Sequence, residues 1–341
     1  MSQKQAVLFI NMAKGFGGGE FYTEQLIKNL EGYQCYFLGK KSGKLTACIQ
    51  KNLPEVKVIS LWSAIKLALS EKNLIVHALD GRGAHFAGIF KRFFKTISVI
   101  TRQVNFAFKR KSSQKAYENA DMLVGVSQSI TQNLAKLNPN AQTVYGCLKP
   151  LQENKEFEQQ FFANPLHSLK IAHIGNFQTV KNFPLTIELA KQNPDVYFYL
   201  VGAGELENEL KIQSKGFNNI YFIPFTPYIG SVLKNVDLLI VPSHSEGLGM
   251  VILEGYQYQV PSIAHATGGI PEIIEQKKTG FLVSPNQIEQ YQAILDRLLA
   301  EPTCFAELRQ NITAYLVKKD FSAQRMAREY EAIYRQVLKN H

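Results

Sequence analysis

Along residues 1–150, short apolar runs alternate with amphipathic stretches, the rhythm of strands and helices taking turns. Residues 6–11 read as a strand, 15–19 as a glycine loop and 20–30 as a helix. Further strands are predicted over 35–38, 56–59, 74–78, 97–101 and 122–126. Residues 151–168, rich in Gln, Glu, Asn and Phe, break the rhythm and read as a linker. The alternation then restarts, with strands over 170–174, 196–201, 219–223, 236–243 and 261–264 and a helix over 184–192. Near-continuous apolar strands point to parallel sheets covered on both faces. The predicted fold class is therefore α/β, with two doubly wound parallel-sheet domains over residues 1–160 and 165–320. The last stretch, 322–338, is amphipathic, with Met326, Tyr330, Ile333, Tyr334, Val337 and Leu338 on one stripe.

Length and composition agree with two ordinary cores. The chain has 341 residues, 45% of them hydrophobic and 19% charged, which argues against disorder. There is no uncharged apolar run of membrane-spanning length, and the first strand begins without leader-like features, so a cytoplasmic setting is expected. Cys35, Cys48, Cys147 and Cys304 are scattered, and no Cys or His spacing suits a metal, so none is expected.

Charge adds an asymmetry. The net charge is +10, yet residues 1–150 hold 21 Lys and Arg against 8 Asp and Glu, and the remainder holds 17 against 20. A basic half turns toward nucleic acid, anionic membrane or acidic substrates. With no helix-turn-helix, RNA-recognition signature or zinc finger, nucleic acid is not expected, leaving a phosphorylated acceptor or an anionic membrane surface. The stretch 84–95 places Phe86, Ile89, Phe90, Phe93 and Phe94 beside Lys91, Arg92 and Lys95, either as core or as an interfacial contact. Lys109, Arg110 and Lys111 extend that basic set.

Candidate chemistry concentrates in Ser243 to Gly255, SHSEGLGMVILEG. Glu246 follows a strand, and Glu254 lies beyond a Gly-Leu-Gly turn at the start of a helix. Such a turn presents backbone N–H groups of Gly249, Met250 and Val251 to an anion. Two acids around that turn suit a ligand with a phosphate in the middle and hydroxyls at both ends, although acids also favour helix starts for structural reasons. Gly18 and Gly19, in the loop after the first strand, let backbone approach a ligand or make a tight turn. Gly202-Ala-Gly204 ends another strand but lacks the third glycine of a dinucleotide fingerprint, since Glu207 stands there. His77, Asp80, Arg102 and Gln103 fall at strand ends, where ligands of doubly wound sheets collect. His85, His173 and His244 read as structural.

The run from Glu246 through Thr267-Gly268-Gly269-Ile270-Pro271-Glu272 to Lys278-Thr279-Gly280 resembles the C-terminal signature of glycosyltransferase family 4, retaining enzymes of the GT-B fold. Gly175-Asn176, followed by Lys181-Asn182, resembles the family's donor-phosphate segment, with Asn176 where many members carry Arg. The resemblance implies two Rossmann-like domains facing a cleft, with 321–341 crossing back as a helix onto the first. It implies transfer of a sugar from a UDP-, GDP- or ADP-sugar to a glycan or glycolipid acceptor, without a cofactor, in lipopolysaccharide or cell-surface polysaccharide synthesis. By that resemblance Lys181 holds the donor diphosphate, Glu246 the transferred sugar and Glu254 the ribose. Gly18, Gly19, Gly175, Asn176 and Gly202 would line the donor side, and His77, Asp80, Arg102 and Gln103 the acceptor or sugar side. A peripheral place at the inner membrane face goes with it. Two alternatives stand beside this reading: a nucleotide-sugar epimerase of the same fold, and a non-catalytic sugar- or nucleotide-binding subunit.

Overall fold

The structure, a computed structural model, describes residues 4–105, 111–163 and 168–341. It divides into two compact units, Met1–Cys147 with Phe321–His341, and Leu148–Asp320.

The first unit is built on a seven-stranded sheet. In chain order its strands are β1 (Gln5–Asn11), β2 (Tyr33–Gly39), β3 (Lys57–Val58), β4 (Ile75–Ala78), β5 (Ile97–Arg102), β6 (Met122–Gly125) and β7 (Ala141–Thr143). They lie in the order β3-β2-β1-β4-β5-β6-β7. Every pairing is parallel, with Val7 of β1 opposite Cys35 on one side and Ile75 on the other. Val7, Leu8, Phe9 and Ile10 are fully buried, as a strand covered on both faces requires. β7 escaped the sequence reading because its three half-buried residues, Ala-Gln-Thr, carry no apolar run. The strand expected over 56–59 shrinks to two residues at the opposite edge.

The helix Ala323–Lys339 belongs to this unit and buries Met326, Tyr330, Ile333, Tyr334 and Val337 in its core, with Leu338 partly buried. Each such side chain contributes roughly 1.5–3 kcal/mol of apolar burial. A buried hydrogen-bond chain fixes the helix as well. Tyr22 donates to Val144 O at 3.2 Å, so it accepts from Tyr330 OH at 2.8 Å. Tyr330 then accepts from Thr101 Oγ1 at 2.6 Å, and Thr101 from His77 Nε2 at 2.8 Å. With Nε2 protonated, His77 Nδ1 accepts from Tyr334 OH at 2.6 Å. One terminal carbonyl thus sets every donor and the histidine tautomer.

The second unit repeats the plan with six strands: β8 (Lys170–Ile174), β9 (Tyr197–Val201), β10 (Ile220–Ile223), β11 (Leu238–Val241), β12 (Ser262–His265) and β13 (Gly280–Val283). Their order is β10-β9-β8-β11-β12-β13, all parallel. In both sheets the order reverses beside the first strand, between β1 and β4 and between β8 and β11. A doubly wound sheet opens a crevice at the carboxyl ends of such a strand pair.

Residues 151–168 correct the expected linker and domain boundary. Asn154 caps a helix over Lys155–Phe162, accepting from Phe157 N at 2.8 Å, and Asn154 N donates to Ser231 Oγ at 2.8 Å. Phe157 and Phe162 are buried, Phe162 against the Tyr199 ring at 4.7 Å. Polar composition hid two aromatic anchors, and the helix Lys155–Phe162 belongs to the second unit.

Candidate active site

The loops after β8 and β11 carry the two groups that sequence marked most strongly. After β8 the chain runs through Gly175 into a single 3-10 turn, Thr179–Lys181. Asn182, left-handed at φ 57°, then turns it into the helix Phe183–Gln192. The Lys181 stem passes over Gly175, where an added Cβ would sit 3.5 Å from Cδ. After β11, Ser243 is buried and the chain loops through Glu246 to Gly249, left-handed at φ 89°, which opens the helix Met250–Tyr256 with no side-chain cap. His244 N donates to Val180 O at 2.9 Å and ties the two loops together.

Across that crevice Lys181 Nζ donates to Glu246 Oε1 at 2.5 Å. Ser243 Oγ donates to the same oxygen at 2.8 Å. Only 12% of the Glu246 side chain and 25% of the Lys181 side chain remain exposed, so the pair is partly shielded from solvent. Beneath Lys181, His173 is buried against Phe183, with the rings 3.6 Å apart and 6° from parallel, and its Nδ1 meets Thr186 Oγ1 at 2.8 Å. Burial first, then the Lys181 charge, holds that imidazole well below its ordinary range, so it stays neutral beside the ammonium.

The Thr-Gly-Gly run braces this loop. Thr267 Oγ1 donates to Ser243 O at 3.1 Å. Gly268 has φ 55°, and a Cβ there would lie 1.9 Å from Glu246 O, so only glycine lets the segments meet. His265, on β12, accepts from Asn286 N at Nε2, at 3.2 Å, which leaves Nδ1 to donate to Ser243 O at 3.3 Å. Glu254, in the following helix, has Lys149 Nζ at 3.4 Å. Burial raises its carboxyl above the ordinary range, against the opposing pull of Lys149.

Lys149, Ser243, His265 and Thr267 carried no role in the sequence reading. Ser243 stood inside the marked motif without a stated partner. Lys149 left no signal, since it lies 105 residues before the acid it meets.

Several other residues stand differently from expectation. Gly202 has φ 149°, and a Cβ there would lie 1.9 Å from Gly175 O. Its glycine is therefore explained by close packing of the β8 and β9 ends. Asn176 is exposed. His77 does not face a ligand edge. It is fully buried in the hydrogen-bond chain described above, and burial pushes it down to about 3. Asp80 caps the helix Gly81–Phe94, accepting from Gly83 N at 2.8 Å, Arg82 N at 3.3 Å and Met12 N at 3.0 Å. Its carboxylate is engaged by backbone N–H groups, as a helix cap. The Arg102 guanidinium lies over the Tyr117 ring at 5.4 Å. Gln103 Nε2 donates to Leu79 O at 3.3 Å and Gly19 O at 3.4 Å, bracing the glycine loop. Gly18 and Gly19 form the first turn of the helix Gly18–Asn29, with Glu20 Oε2 accepting from Gly17 N at 2.8 Å. His173 is structural as expected, whereas His85 and His244 are exposed. Among the described residues, no three His, Cys, Asp or Glu side chains come together as metal ligands.

Two doubly wound parallel sheets, with an open loop pair at the second switch point, make this a GT-B fold. Residues 154–319 match the family described as glycosyl transferases group 1. That match lies within the second unit, and the chain as a whole shares the GT-B fold. It is 26% identical over 250 residues to the N-acetyl-alpha-D-glucosaminyl L-malate synthase of Bacillus anthracis, covering 65% of this chain and 61% of that one. Across the first curated relatives it matches, the chain spans about half of their length. Among solved structures, Anabaena HepE in complex with UDP superposes with a TM-score of 0.84 at 15% identity, covering 97% of this chain and all of HepE. The lipopolysaccharide outer core galactosyltransferase WaaB superposes with a TM-score of 0.74 at 15% identity, over 97% and 99% of the two chains.

Proposed function

We propose that this chain is a retaining, family 4 glycosyltransferase that moves a sugar from a nucleotide-diphosphate sugar to a glycan or glycolipid hydroxyl in cell-surface or lipopolysaccharide synthesis. The observation that carries the reading is the Lys181–Glu246 pair, 2.5 Å apart at the second switch point. A cation and a shielded carboxylate side by side suit a substrate whose diphosphate and sugar hydroxyls are adjacent. Lys181 turns to the β-phosphate and balances the charge that grows as the C1–O bond to phosphate breaks. Glu246, released from Lys181, accepts from hydroxyls of the transferred sugar, and Glu254 accepts from the ribose. Backbone N–H groups of Gly249, Met250 and Val251 hold the remaining phosphate oxygens. The sugar passes through an oxocarbenium-like state. The acceptor oxygen bonds to C1 on the face the phosphate leaves, and its proton passes to the departing phosphate oxygen, which keeps the anomeric configuration.

UDP-glucose is the first donor to try, because HepE has been solved with UDP and with UDP-glucose. The epimerase alternative needs an acid or base in the first unit, where His77 is buried in the core and Asp80 caps a helix.

The first unit carries the proposed contact with an anionic membrane surface. Phe93 is 67% exposed, with the Arg92 guanidinium 5.5 Å from its ring centre, and Lys95 and Lys111 are exposed. Lys91 drops from that set, since its ammonium lies 2.5 Å from Asp121 Oδ1. Phe94 packs on Phe90 at 5.5 Å, and Lys109 and Arg110 lie outside the described residues. No described helix is long and apolar enough to cross a membrane.

Lys181→Ala and Glu254→Ala are each expected to cut transfer by about 100-fold or more, a barrier increase of about 3 kcal/mol, with the melting profile retained. Donor consumption with UDP-, GDP- and ADP-sugars measures it. Near-normal turnover in a folded Lys181→Ala enzyme removes the assignment.

A further inference from the structure

At the carboxyl edge of the first sheet, loops on three neighbouring strands each carry a cation. Lys14 follows β1, Lys40 follows β2, and Arg82 stands in the first turn of the helix after β4. Backbone contacts set the spacing. Lys44 N donates to Lys14 O at 3.2 Å, and a Cβ on Gly43 would lie 2.9 Å from Ala13 O. Met12 N, donating to Asp80 Oδ1 at 3.0 Å, joins the first loop to the Arg82 turn. The Lys40 ammonium holds its proton less tightly than an ordinary lysine, through desolvation first and then through Lys14 and Arg82.

No carboxylate among the described residues forms an ion pair with this group. Glu20 and Asp80, the acids of these loops, are both turned to backbone N–H groups. Among the described residues none pairs with Lys14, Lys40 or Arg82. Like charges gathered without a direct ion-pair partner repel one another, and a multivalent anion relieves that repulsion. A phosphoryl group brings up to two negative charges and three acceptor oxygens, one for each cation. The exposed, aromatic end of the helix Gly81–Phe94 is a different place, since ten residues separate Arg82 from Arg92, roughly 15 Å along a helix axis.

We propose that Lys14, Lys40 and Arg82 form a binding site for a phosphoryl group carried by the acceptor. This rests on the glycosyltransferase reading, in which Lys181 already serves the donor phosphates. A soluble sugar phosphate and a lipid-linked phosphate present the same group to the site.

The test is calorimetric titration, without donor, of wild type, K14Q/K40Q/R82Q and K181A. Glucose 1-phosphate probes the soluble source, and phosphatidylcholine vesicles with and without a polyprenyl phosphate probe the lipid source. Saturable binding of either probe is expected in wild type and K181A, weakened about tenfold or more in the triple variant and by rising salt. The Lys40 titration, followed by the side-chain carbon signal, should move upward when the probe binds. If the triple variant does not fold, K14Q and R82Q, both at exposed side chains, carry the test with about threefold losses each. Hydrolysis of UDP-glucose in water alone should be the same in the triple variant and wild type. Equal binding by wild type and the triple variant, loss of binding in K181A, or no saturable binding of either probe overturns the site. An equal fall in donor hydrolysis overturns its assignment to the acceptor. These titrations need no turnover, so an anion site that persists while K181A keeps full transfer sinks the catalytic reading and leaves the site standing.

Discussion

The carboxyl edges of the two sheets share one topology and differ in how their charges are paired. At the edge of the first, Lys14, Lys40 and Arg82 gather while Glu20 and Asp80 cap backbone. In the second unit two cations meet acids, Lys181 with Glu246 and Lys149 with Glu254. Strand order makes a crevice in both, and the loops alone decide what it holds. An edge with paired charges can separate a leaving anion from a sugar. An unpaired basic edge can only attract an anion.

The largest expected effect comes from the loop packing of the second edge. Gly268→Ala forces a Cβ to within 1.9 Å of Glu246 O in a left-handed backbone. It should cost about 3 kcal/mol or more of stability and abolish transfer. Gly15→Ala, in the glycine loop of the first edge, meets nothing within 4 Å and should change stability by less than about 0.5 kcal/mol. Equal melting shifts in the two variants would erase the contrast between a packed edge and an open one.

Acid should test the cores beneath both edges. His77 has an ordinary value of 6.5 and is lowered by burial to about 3, and His173 is lowered well below 6.5. In the unfolded chain these imidazoles take up protons below about 6.5, while the folded protein refuses them. Stability is therefore full above pH 6.5 and falls as pH drops toward 3, at about 1.4 kcal/mol per unit for each such group. Denaturant titrations across that window measure the slope, and a flat profile would place these rings in contact with water.

Next in size is Thr101→Val, which takes the acceptor away from His77 Nε2–H and the donor from Tyr330. A buried donor left alone costs about 1–3 kcal/mol, seen as earlier unfolding with the second unit unaffected. The smallest effect is Ser243→Ala. It removes a 2.8 Å hydrogen bond to Glu246 Oε1 and should slow transfer about fivefold to tenfold, near 1 kcal/mol, with little loss of stability. A slowing as deep as that of Lys181→Ala would make Ser243 a direct substrate contact.

The apolar runs over 6–11, 170–174 and 236–243 named their strands because a parallel strand buried on both faces must be apolar throughout. The stripe from Met326 to Leu338 named a docked helix for the same reason, by period rather than by composition. Glu246, Glu254 and Lys181 stood out through motif and resemblance. The sequence could not assign His77 and Asp80, because a strand-end histidine or acid reads alike whether it faces solvent, core or a helix start. Residues 151–168 misled in the opposite way, since polar composition masked Phe157 and Phe162.

Periodicity and the identity of buried residues, which are local properties of the chain, thus determined the two parallel sheets, the last helix and the loops where chemistry collects. The tertiary structure decided which charges meet. Lys149 reaches Glu254 across 105 residues, His77 closes a chain with Tyr334 across 257, and backbone contacts join the loops that carry Lys14, Lys40 and Arg82. Electrostatic coupling depends on distance in space, and a distance of a few ångströms between remote residues exists only once the sheets have set the loops side by side.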